Sequence, residues 1–199
     1  GRPDGRALDV GAACGRITFE LARDHAEAWG LDRAEPLVDA ALRVRAAGEA
    51  RYEIVIEGDL RREQAAPVEA PPNTRFVVGD AAGLPFPARG FDTVTALNLI
   101  CRAADPARVV SELARVTAGG GTLLISSPYT WIESHTPRPR WLGGFVRQGA
   151  PVRAAAEVRR VLGADFELEV EERLPFFIPH HARSGQLGSA HVQRFRRKA

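Results

Sequence analysis

The sequence predicts an α/β fold, in the form of a doubly wound sheet of about seven strands with helices on both faces. Most strands should run parallel, and the last strand should be antiparallel. Short apolar segments alternate with segments of helical periodicity, which is typical of this class. A glycine-containing turn joins the first apolar segment to a helix. The 199 residues contain neither an internal repeat nor a linker, so one domain accounts for them.

The first half of the chain is predicted to contain three core strands and two helices. Pro36 suits the first turn of a helix, where a missing N–H does no harm. Leu37, Ala41 and Val44 then recur at helical spacing. An Ala- and Pro-rich stretch at 64–73 is predicted to be a loop. In chain order, the elements are a strand at 6–10, a helix at 15–23, a strand at 26–31, the helix that opens at Pro36, a strand or hairpin arm at 51–59 and a strand at 74–78.

The second half adds two helices and the remaining strands. Val109, Leu113 and Val116 share one face of a helix that begins at 105–106. The three glycines at 119–121 are expected to end that helix. The other elements are strands at 91–99 and 122–126, a helix at 152–162, and final strands at 166–172 and 191–196.

The composition excludes several classes of protein. A formal net charge of +2 does not call for nucleic acid or an anionic membrane, and no apolar run approaches a membrane span. Cys14 and Cys101 are too few for a disulfide framework, so we expect both to be reduced in a cytoplasmic protein. No metal site is predicted. The chain begins at Gly1 and contains no Met, from which we expect one domain over 1–199 that lacks residues before its first strand.

The loop at 9–15 lies between a predicted strand and a predicted helix. Gly11 permits a tight turn, and Gly15 lets the helix begin close to a ligand. An acidic residue, Asp32, follows 21 residues after Gly11, at the end of the second strand. A carboxylate there can accept both hydroxyls of a ribose. The alternative is that Asp32 caps the helix that opens at Pro36.

The spacing of these glycines distinguishes between the binding sites of two kinds of cofactor. A nicotinamide or flavin site expects Gly-x-Gly-x-x-Gly, which leaves room for a pyrophosphate at the helix N-terminus. This chain instead has Gly-x-x-x-Gly preceded by Asp9. A carboxylate at that position would repel a pyrophosphate and attract a cation such as the ammonium of S-adenosylmethionine. Asp9 therefore favours S-adenosylmethionine over a nicotinamide-dependent reductase; alternatively, it caps nearby backbone N–H groups.

A second acidic loop follows the strand at 74–78. The carboxylate of Asp80 can accept the exocyclic amine of adenine, and the N–H of the next residue, Ala81, can donate to a ring nitrogen. Both residues are therefore predicted to bind the cofactor.

Asn98 and Leu99 end the fourth predicted core strand. In order and spacing, these loops resemble those of class I S-adenosylmethionine-dependent methyltransferases. The resemblance implies a Rossmann-like sheet, this cofactor, and a cofactor pocket lined in part by Asn98 and Leu99. Ala13 stands where many members of that superfamily have a glycine, and its methyl group narrows the cofactor loop without blocking it.

The segment at 126–144 combines aromatic and ionisable side chains. It follows a short apolar strand and contains Tyr129, Trp131, Glu133 and His135. Irregular segments that extend such groups from a strand end commonly bind ligands. The alternatives are that Trp131 fills a gap in the core and that His135 is a solvated loop residue.

This segment narrows the resemblance to one family. The runs at 127–131, 136–138 and 141–144 are similar to the methyltransferase domain of ovothiol biosynthesis, a 4-mercaptohistidine N1-methyltransferase family. The similarity extends from about residue 7 to 197. Ser184-Gly185 replaces the Lys and aromatic residue usual in that family after an Ala-Arg pair, and Leu187 replaces a Trp.

The resemblance implies transfer of a methyl group from S-adenosylmethionine to a ring nitrogen of 5-thiohistidine. Tyr129 and Trp131 would stack on the imidazole, and Glu133 or His135 would bind its N–H. Arg183, with Arg138 as a second candidate, would pair with the substrate carboxylate. Other acceptors, such as selenohistidine or another small amine or thiol, remain open, as does an inactive cofactor-binding domain. In this family the domain is often fused to a sulfoxide synthase, which is therefore a candidate partner.

Overall fold

The computed structural model describes residues 4–199. Within these residues, no helix combines the length and apolar character that crossing a bilayer requires. The helices are α1 (Arg16–Ala22), α2 (Glu35–Ala47), α3 (Pro106–Val116) and α4 (Ala154–Leu162). The strands are β1 (Arg6–Val10), β2 (Glu27–Asp32), β3 (Glu49–Glu57), β4 (Leu60–Pro67), β5 (Thr74–Val78), β6 (Phe91–Leu97), β7 (Thr117–Ser127), β8 (Phe145–Arg147), β9 (Ala150–Val152), β10 (Phe166–His181) and β11 (Ser184–Arg197).

Seven of these strands form one sheet in the order β10-β11-β7-β6-β1-β2-β5. Strands β5, β2, β1, β6 and β7 run parallel, β11 is antiparallel to β7, and β10 is antiparallel to β11. The predicted fold class is confirmed, including the antiparallel last strand. Strand β1 pairs with β2 on one side and with β6 on the other, so the strand order reverses there. In open α/β sheets, ligands bind beyond the carboxyl ends of the strands at such a reversal.

Alternation along β1 directs its side chains to both faces of the sheet. Leu8 and Val10 join a large buried cluster to which α3 and α4 also contribute. Ala7 joins a smaller buried cluster with Ala22 of α1 and Ala28 of β2. Helices therefore cover both faces, and any polar residue of β1 must lie beneath one of them.

Helix α3 begins where the sequence predicts and ends earlier. The Asp105 carboxylate accepts a hydrogen bond from the Arg108 N–H at 3.1 Å and caps the helix. The glycines at 119–121 do not end it, because β7 already begins at Thr117 and includes them. A Cβ on Gly121 would lie 2.9 Å from a backbone carbonyl oxygen, so glycine allows a close backbone approach there. The prediction that these glycines end α3 is wrong.

Two hairpins are longer than predicted. Strand β4 extends to Pro67, inside the stretch that was predicted to be a loop, and pairs with β3. Strands β10 and β11 contain 16 and 14 residues, well beyond the predicted final strands. Their outer halves are largely exposed, so no core-facing alternation marks them in the sequence. The two hairpins meet where the Ala182 N–H donates to the Val55 carbonyl oxygen at 3.0 Å.

Candidate active site

A cavity of about 490 Å³, here called the first cavity, lies at the carboxyl ends of β1, β2, β5 and β6. It occupies the strand-order reversal, where the fold favours a ligand. Three carboxylates and two guanidinium groups border an otherwise largely apolar lining. The residues that line it are Gly11, Leu31, Asp32, Arg33, Ala34, Leu37, Gly79, Asp80, Ala81, Ala82, Leu99, Arg102, Ala103, Ala104, Asp105, Val109 and His135.

Asp32 connects the glycine loop to the start of α2. Its Oδ2 accepts the Ala13 N–H, and its Oδ1 accepts the Ala34 N–H, each at 2.9 Å. A carboxylate has about four acceptor sites, so these two bonds leave capacity for two ligand hydroxyls. The geometry is therefore compatible with the capping role and with the predicted ribose role at once.

The glycine loop adopts left-handed backbone at three positions. Gly11 has φ 81°, Ala13 has φ 46° and Gly15 has φ 88°. A side chain at Ala13 makes its conformation cost about 1–3 kcal/mol, which explains why a glycine is common there. Gly15 does not line the first cavity: a Cβ there would lie 2.7 Å from the Phe76 ring. Packing and backbone conformation, rather than ligand approach, thus require glycine at this position.

Four residues after the ends of β5 and β6 were predicted to bind the cofactor. Three of them, Asp80, Ala81 and Leu99, line the first cavity. The Asp80 Oδ1 accepts the Ala82 N–H at 2.9 Å, which orders the loop and leaves the second oxygen available. Asn98 is exposed, has φ 56° and does not line the cavity. Its N–H donates to the carbonyl oxygen of Ser126 at 2.9 Å, so it shapes the turn after β6.

The structure does not bring Asp9 to this cavity. Asp9 alternates with Leu8 and Val10 and therefore faces α1, where its side chain is buried. Its carboxylate accepts hydrogen bonds from the hydroxyls of Thr18 at 3.0 Å and Thr95 at 2.9 Å. Burial raises the pKa of Asp9 from 3.8 to about 6, against the opposing effect of the two hydroxyls. Of the three carboxylates that the sequence predicts to bind the cofactor, only Asp32 and Asp80 line the first cavity.

A second cavity of about 530 Å³ lies at the end of β7, between the start of α4 and the inner parts of β10 and β11. It shares no lining residue with the first cavity, but the segment after β7 contributes to both. The residues that line the second cavity are Ser127, Pro128, Tyr129, Trp131, Gly144, Val152, Arg153, Ala154, Ala155, Ala156, Arg159, Glu171, Arg173, Ser189 and His191.

The two aromatic residues predicted to contact substrate lie in this second cavity. Trp131 stacks on Trp141, with ring centroids 6.1 Å apart and planes 18° apart, and also packs against the core. Tyr129 has φ 51°, and its ring centroid lies 5.8 Å from that of His191. Burial, and secondarily the Glu171 carboxylate, raise the pKa of the Tyr129 hydroxyl well above its usual value. Tyr129 therefore stays protonated and can donate a hydrogen bond.

The other predicted catalytic residues do not join these aromatic residues. His135 lines the first cavity, where its Nε2 accepts a hydrogen bond from Arg102 at 3.1 Å. Glu133 is exposed and lines neither cavity. Arg183 lies at the turn between β10 and β11 and pairs with Glu57 at 2.9 Å. The long hairpin carries it away from both cavities, so the predicted cluster of five is divided.

Sequence reasoning missed His191 and the charged residues of β10 beside the second cavity. The register pairs His191 with Ser127 on β7 and with Arg173 on β10, which brings three distant segments together. The sequence signal for these residues is that the polar residues at 189, 191 and 193 alternate with the apolar residues at 190 and 192. This alternation is too short to be recognised, because the sequence predicts a strand only from residue 191.

The first cavity fits S-adenosylmethionine. Its volume is within the range of about 300–1,000 Å³ typical of small-molecule sites. Asp32 retains acceptor capacity for a diol, and Asp80 for an amine, while Leu37 and Leu99 provide apolar surface for a purine. Three carboxylates against two guanidinium groups leave the lining with a net negative charge, which suits a net cationic ligand better than a pyrophosphate. The fold and the cavity are both those expected of a class I, S-adenosylmethionine-dependent methyltransferase domain.

Comparison with known proteins identifies the family. The family model described as a methyltransferase domain matches residues 8–125, which include β1 through most of β7. The chain belongs to this methyltransferase-domain family, and S-adenosylmethionine is its cofactor.

The curated relatives carry methyltransferase names of several kinds. A demethylmenaquinone methyltransferase of Beutenbergia cavernae is 32% identical over 126 residues, 63% of this chain and 41% of that protein. A phosphatidylethanolamine N-methyltransferase of Cereibacter sphaeroides is 30% identical over 121 residues, 61% of this chain and 49% of that protein. The chain spans 37% to 52% of the length of the curated relatives it matches.

Among solved structures, YcgJ of Bacillus subtilis has a TM-score of 0.64 at 17% identity, covering 100% of this chain and 94% of that chain. Magnesium protoporphyrin IX methyltransferase of Synechocystis PCC 6803, solved with bound S-adenosylmethionine, has a TM-score of 0.59 at 18% identity and covers 98% and 71%. These likenesses support the fold alone.

Gly143 allows the segment after β7 to pack against α4, and its replacement by alanine should lower stability. A Cβ at Gly143 would lie 2.3 Å from the Ala154 backbone nitrogen. We expect Gly143→Ala to lower the free energy of unfolding by about 2–3 kcal/mol and the Tm by about 5–10 °C. Gly83→Ala is the control, because a Cβ there meets nothing within 4 Å. Equal melting curves for the two variants would contradict this packing.

Proposed function

We propose that this chain is a methyltransferase domain that transfers the methyl group of S-adenosylmethionine to a ring nitrogen of 5-thiohistidine, as in ovothiol biosynthesis. One observation carries the proposal: the segment after β7 contributes Tyr129 and Trp131 to the second cavity and His135 to the first. A single segment thus borders a site suited to the cofactor and a site suited to an aromatic acceptor. The same segment carries the most specific part of the resemblance to the ovothiol family.

The residues of the first cavity hold and orient the cofactor. Asp32 accepts the ribose hydroxyls, and Asp80 with the Ala81 N–H binds the adenine edge. Leu99 forms the apolar surface beside the glycine loop, where a Cβ on Gly11 would already lie 3.0 Å from its side chain. When bound, S-adenosylmethionine supplies a methyl group activated by the positive charge on its sulfur.

The residues of the second cavity hold the acceptor. Tyr129 and Trp131 present aromatic surfaces against which an imidazole ring can pack. Their task is to align the lone pair of a ring nitrogen with the methyl carbon at about 3–3.5 Å, because in-line displacement depends on alignment. The thiolate substituent makes the ring electron-rich, so a strong protein base is not required. Arg183 takes no part in this arrangement, because it pairs with Glu57 on the hairpins.

The cofactor and the acceptor are tested in two steps. Calorimetric titration with S-adenosylhomocysteine and with NADH should show binding of S-adenosylhomocysteine alone. Incubation with S-adenosylmethionine and 5-thiohistidine, histidine or selenohistidine, followed by mass spectrometry, should add one methyl group to 5-thiohistidine in preference to the others. Methylation of selenohistidine alone would identify a different acceptor. Cofactor binding without methylation of any acceptor would favour an inactive domain.

The family resemblance also suggests a partner, a sulfoxide synthase that supplies the thiolated ring. We propose that the domain acts after such an enzyme, either fused to it or separately. Co-expression with a sulfoxide synthase of that type should yield the N-methylated thiol compound, and expression of the synthase alone should yield the unmethylated one. Equal product mixtures in the two cultures would contradict this order.

A further inference from the structure

The second cavity has a net positive lining. Glu171 Oε1 is the hub of one polar cluster: it accepts from Arg159 at 2.6 Å and from Gln193 at 2.9 Å, and His191 Nε2 lies 3.3 Å away. The charges of Glu171 and Arg159 therefore offset each other. Among residues 4–199, no ion pair or side-chain hydrogen bond engages Arg153 or Arg173. Both guanidinium groups remain available to an anion.

The start of α4 adds to this positive field. Ala154, Ala155 and Ala156 line the cavity, and the N-cap residue, Arg153, makes no side-chain capping bond. The first N–H groups of a helix lack intrahelical partners and carry the positive end of its dipole. The Ala156 N–H already donates to the Arg153 carbonyl oxygen at 3.1 Å, so a carboxylate between this helix start and Arg153 would accept from the N–H groups of Ala154 or Ala155.

Unpartnered polar atoms occur at the same place. Within the part of the chain that the structure describes, Trp131 Nε1 and His191 Nδ1 are buried without a hydrogen-bond partner, as is Oε1 of the fully buried Gln193, whose Nε2 donates to Glu171. Buried polar atoms are almost always satisfied in folded proteins. A polar ligand that enters the cavity, with a small repacking of the segment after β7, would supply the partners that these atoms lack.

We propose that the second cavity is a binding site for an α-amino acid with a heteroaromatic side chain. Arg153, Arg173 and the start of α4 bind its carboxylate, and the ring lies against Tyr129, with the His191–Glu171 pair as its polar neighbour. The proposal rests on the proposed function and specifies where the acceptor binds. It replaces Arg183 as the carboxylate-binding residue.

The two cavities border the same part of the core. Tyr129 and Trp131 of the second cavity pack against the buried cluster that Leu99 of the first cavity also contacts. A ring held against Tyr129 would thus lie on the side of the core that borders the cofactor site.

The test measures acceptor binding without requiring catalysis. Protein loaded with S-adenosylhomocysteine is titrated with 5-thiohistidine and with its descarboxy analogue, 5-thiohistamine. We expect wild-type protein to bind the carboxylated ligand at least about tenfold more tightly, since charge-assisted bonds are the strong ones. The double variant Arg153→Gln/Arg173→Gln should lose this preference and bind both ligands alike.

Arg183→Gln is the matched control, because it removes the guanidinium group that the sequence suggested. It should keep the wild-type preference, and both variants should keep the wild-type Tm and affinity for S-adenosylhomocysteine. A preserved preference in the double variant, or its loss in Arg183→Gln, would overturn the proposed site.

If wild-type protein binds 5-thiohistidine with this preference but never methylates it, the proposed function is wrong and the site stands. If it methylates 5-thiohistidine and the double variant is unaffected, the site is wrong and the function stands. Absence of binding and of methylation would reject both.

Discussion

Replacing Asp32 by alanine should reduce the affinity for S-adenosylhomocysteine by about a hundredfold or more. Two hydrogen bonds from ribose hydroxyls to a carboxylate are each worth about 1.5–3 kcal/mol, and about 1.4 kcal/mol corresponds to tenfold. The substitution also removes the acceptor of the Ala13 and Ala34 N–H groups. We therefore expect a smaller loss in the free energy of unfolding, about 1–2 kcal/mol. Calorimetry and denaturant unfolding measure the two effects separately.

Asp32→Asn separates the two roles further. Its single carbonyl oxygen can accept one of the two N–H groups, so stability should fall less than in Asp32→Ala. Its amide lacks the charge that strengthens bonds to the ribose, so affinity should still fall by about tenfold or more. If Asp32→Ala lowered stability but left the affinity nearly unchanged, Asp32 would be a helix cap and the ribose role would be wrong.

Replacing Asp9 by asparagine should stabilise the protein at neutral and alkaline pH. The pKa of Asp9 is raised by burial from 3.8 to about 6, which corresponds to about 3 kcal/mol between its two protonation states. Folding therefore favours the protonated form of Asp9 relative to the unfolded chain. The stability that this protonated carboxyl contributes is complete below pH 4 and is lost as the pH rises through 6. Asparagine stays neutral at every pH and can exchange one hydrogen bond with each of Thr18 and Thr95.

We expect Asp9→Asn to raise the free energy of unfolding at pH 8 by about 2–3 kcal/mol and to leave it nearly unchanged at pH 4. Urea unfolding at both pH values measures this difference. Asp39→Asn, on the exposed side of α2, is the control and should change stability by less than about 0.5 kcal/mol. A gain of equal size at both pH values would show that Asp9 ionisation is not the cause.

The same Asp9 variant tests the role that the sequence suggested. If the Asp9 carboxylate held the ammonium of the cofactor, Asp9→Asn would lose affinity for S-adenosylhomocysteine as it gained stability. Because Asp9 is only 2% exposed and both oxygens are bonded to threonine hydroxyls, we expect the affinity to be unchanged. Calorimetry on the variant decides between the two roles.

The cofactor side of the site was largely predictable from the sequence. The glycine loop and the two acidic loops each follow a strand of the parallel sheet, and carboxyl ends of parallel strands meet at one edge. That rule predicts that Asp32, Asp80 and Leu99 lie close together, and all three line the first cavity. It did not place Asp9, because its position within β1 decides which face it occupies and which helix covers it.

The acceptor side was less predictable because it depends on contacts between distant segments. Arg183 was grouped with Tyr129 through family resemblance, yet the length of the β10–β11 hairpin carries it to Glu57. His191 lies opposite Ser127 only because of the register between antiparallel strands more than sixty residues apart. Neither hairpin length nor register leaves a clear periodic signal when the outer strand halves are exposed.

The amino-acid sequence by itself determined the order of the core strands and helices, the glycine loop and the acidic residues at successive strand ends. The resemblance of these loops to those of class I methyltransferases then indicated the class of enzyme and its cofactor. These features are local, so short-range periodicity and turn chemistry specify them. Only the tertiary structure decided which charged side chains share the second cavity, because strand register and helix packing bring together Arg153, Arg173 and His191 from three separate elements. The raised pKa of Asp9 also depends on the tertiary structure, because it arises from burial beneath the helix and the neighbouring strand that enclose the side chain.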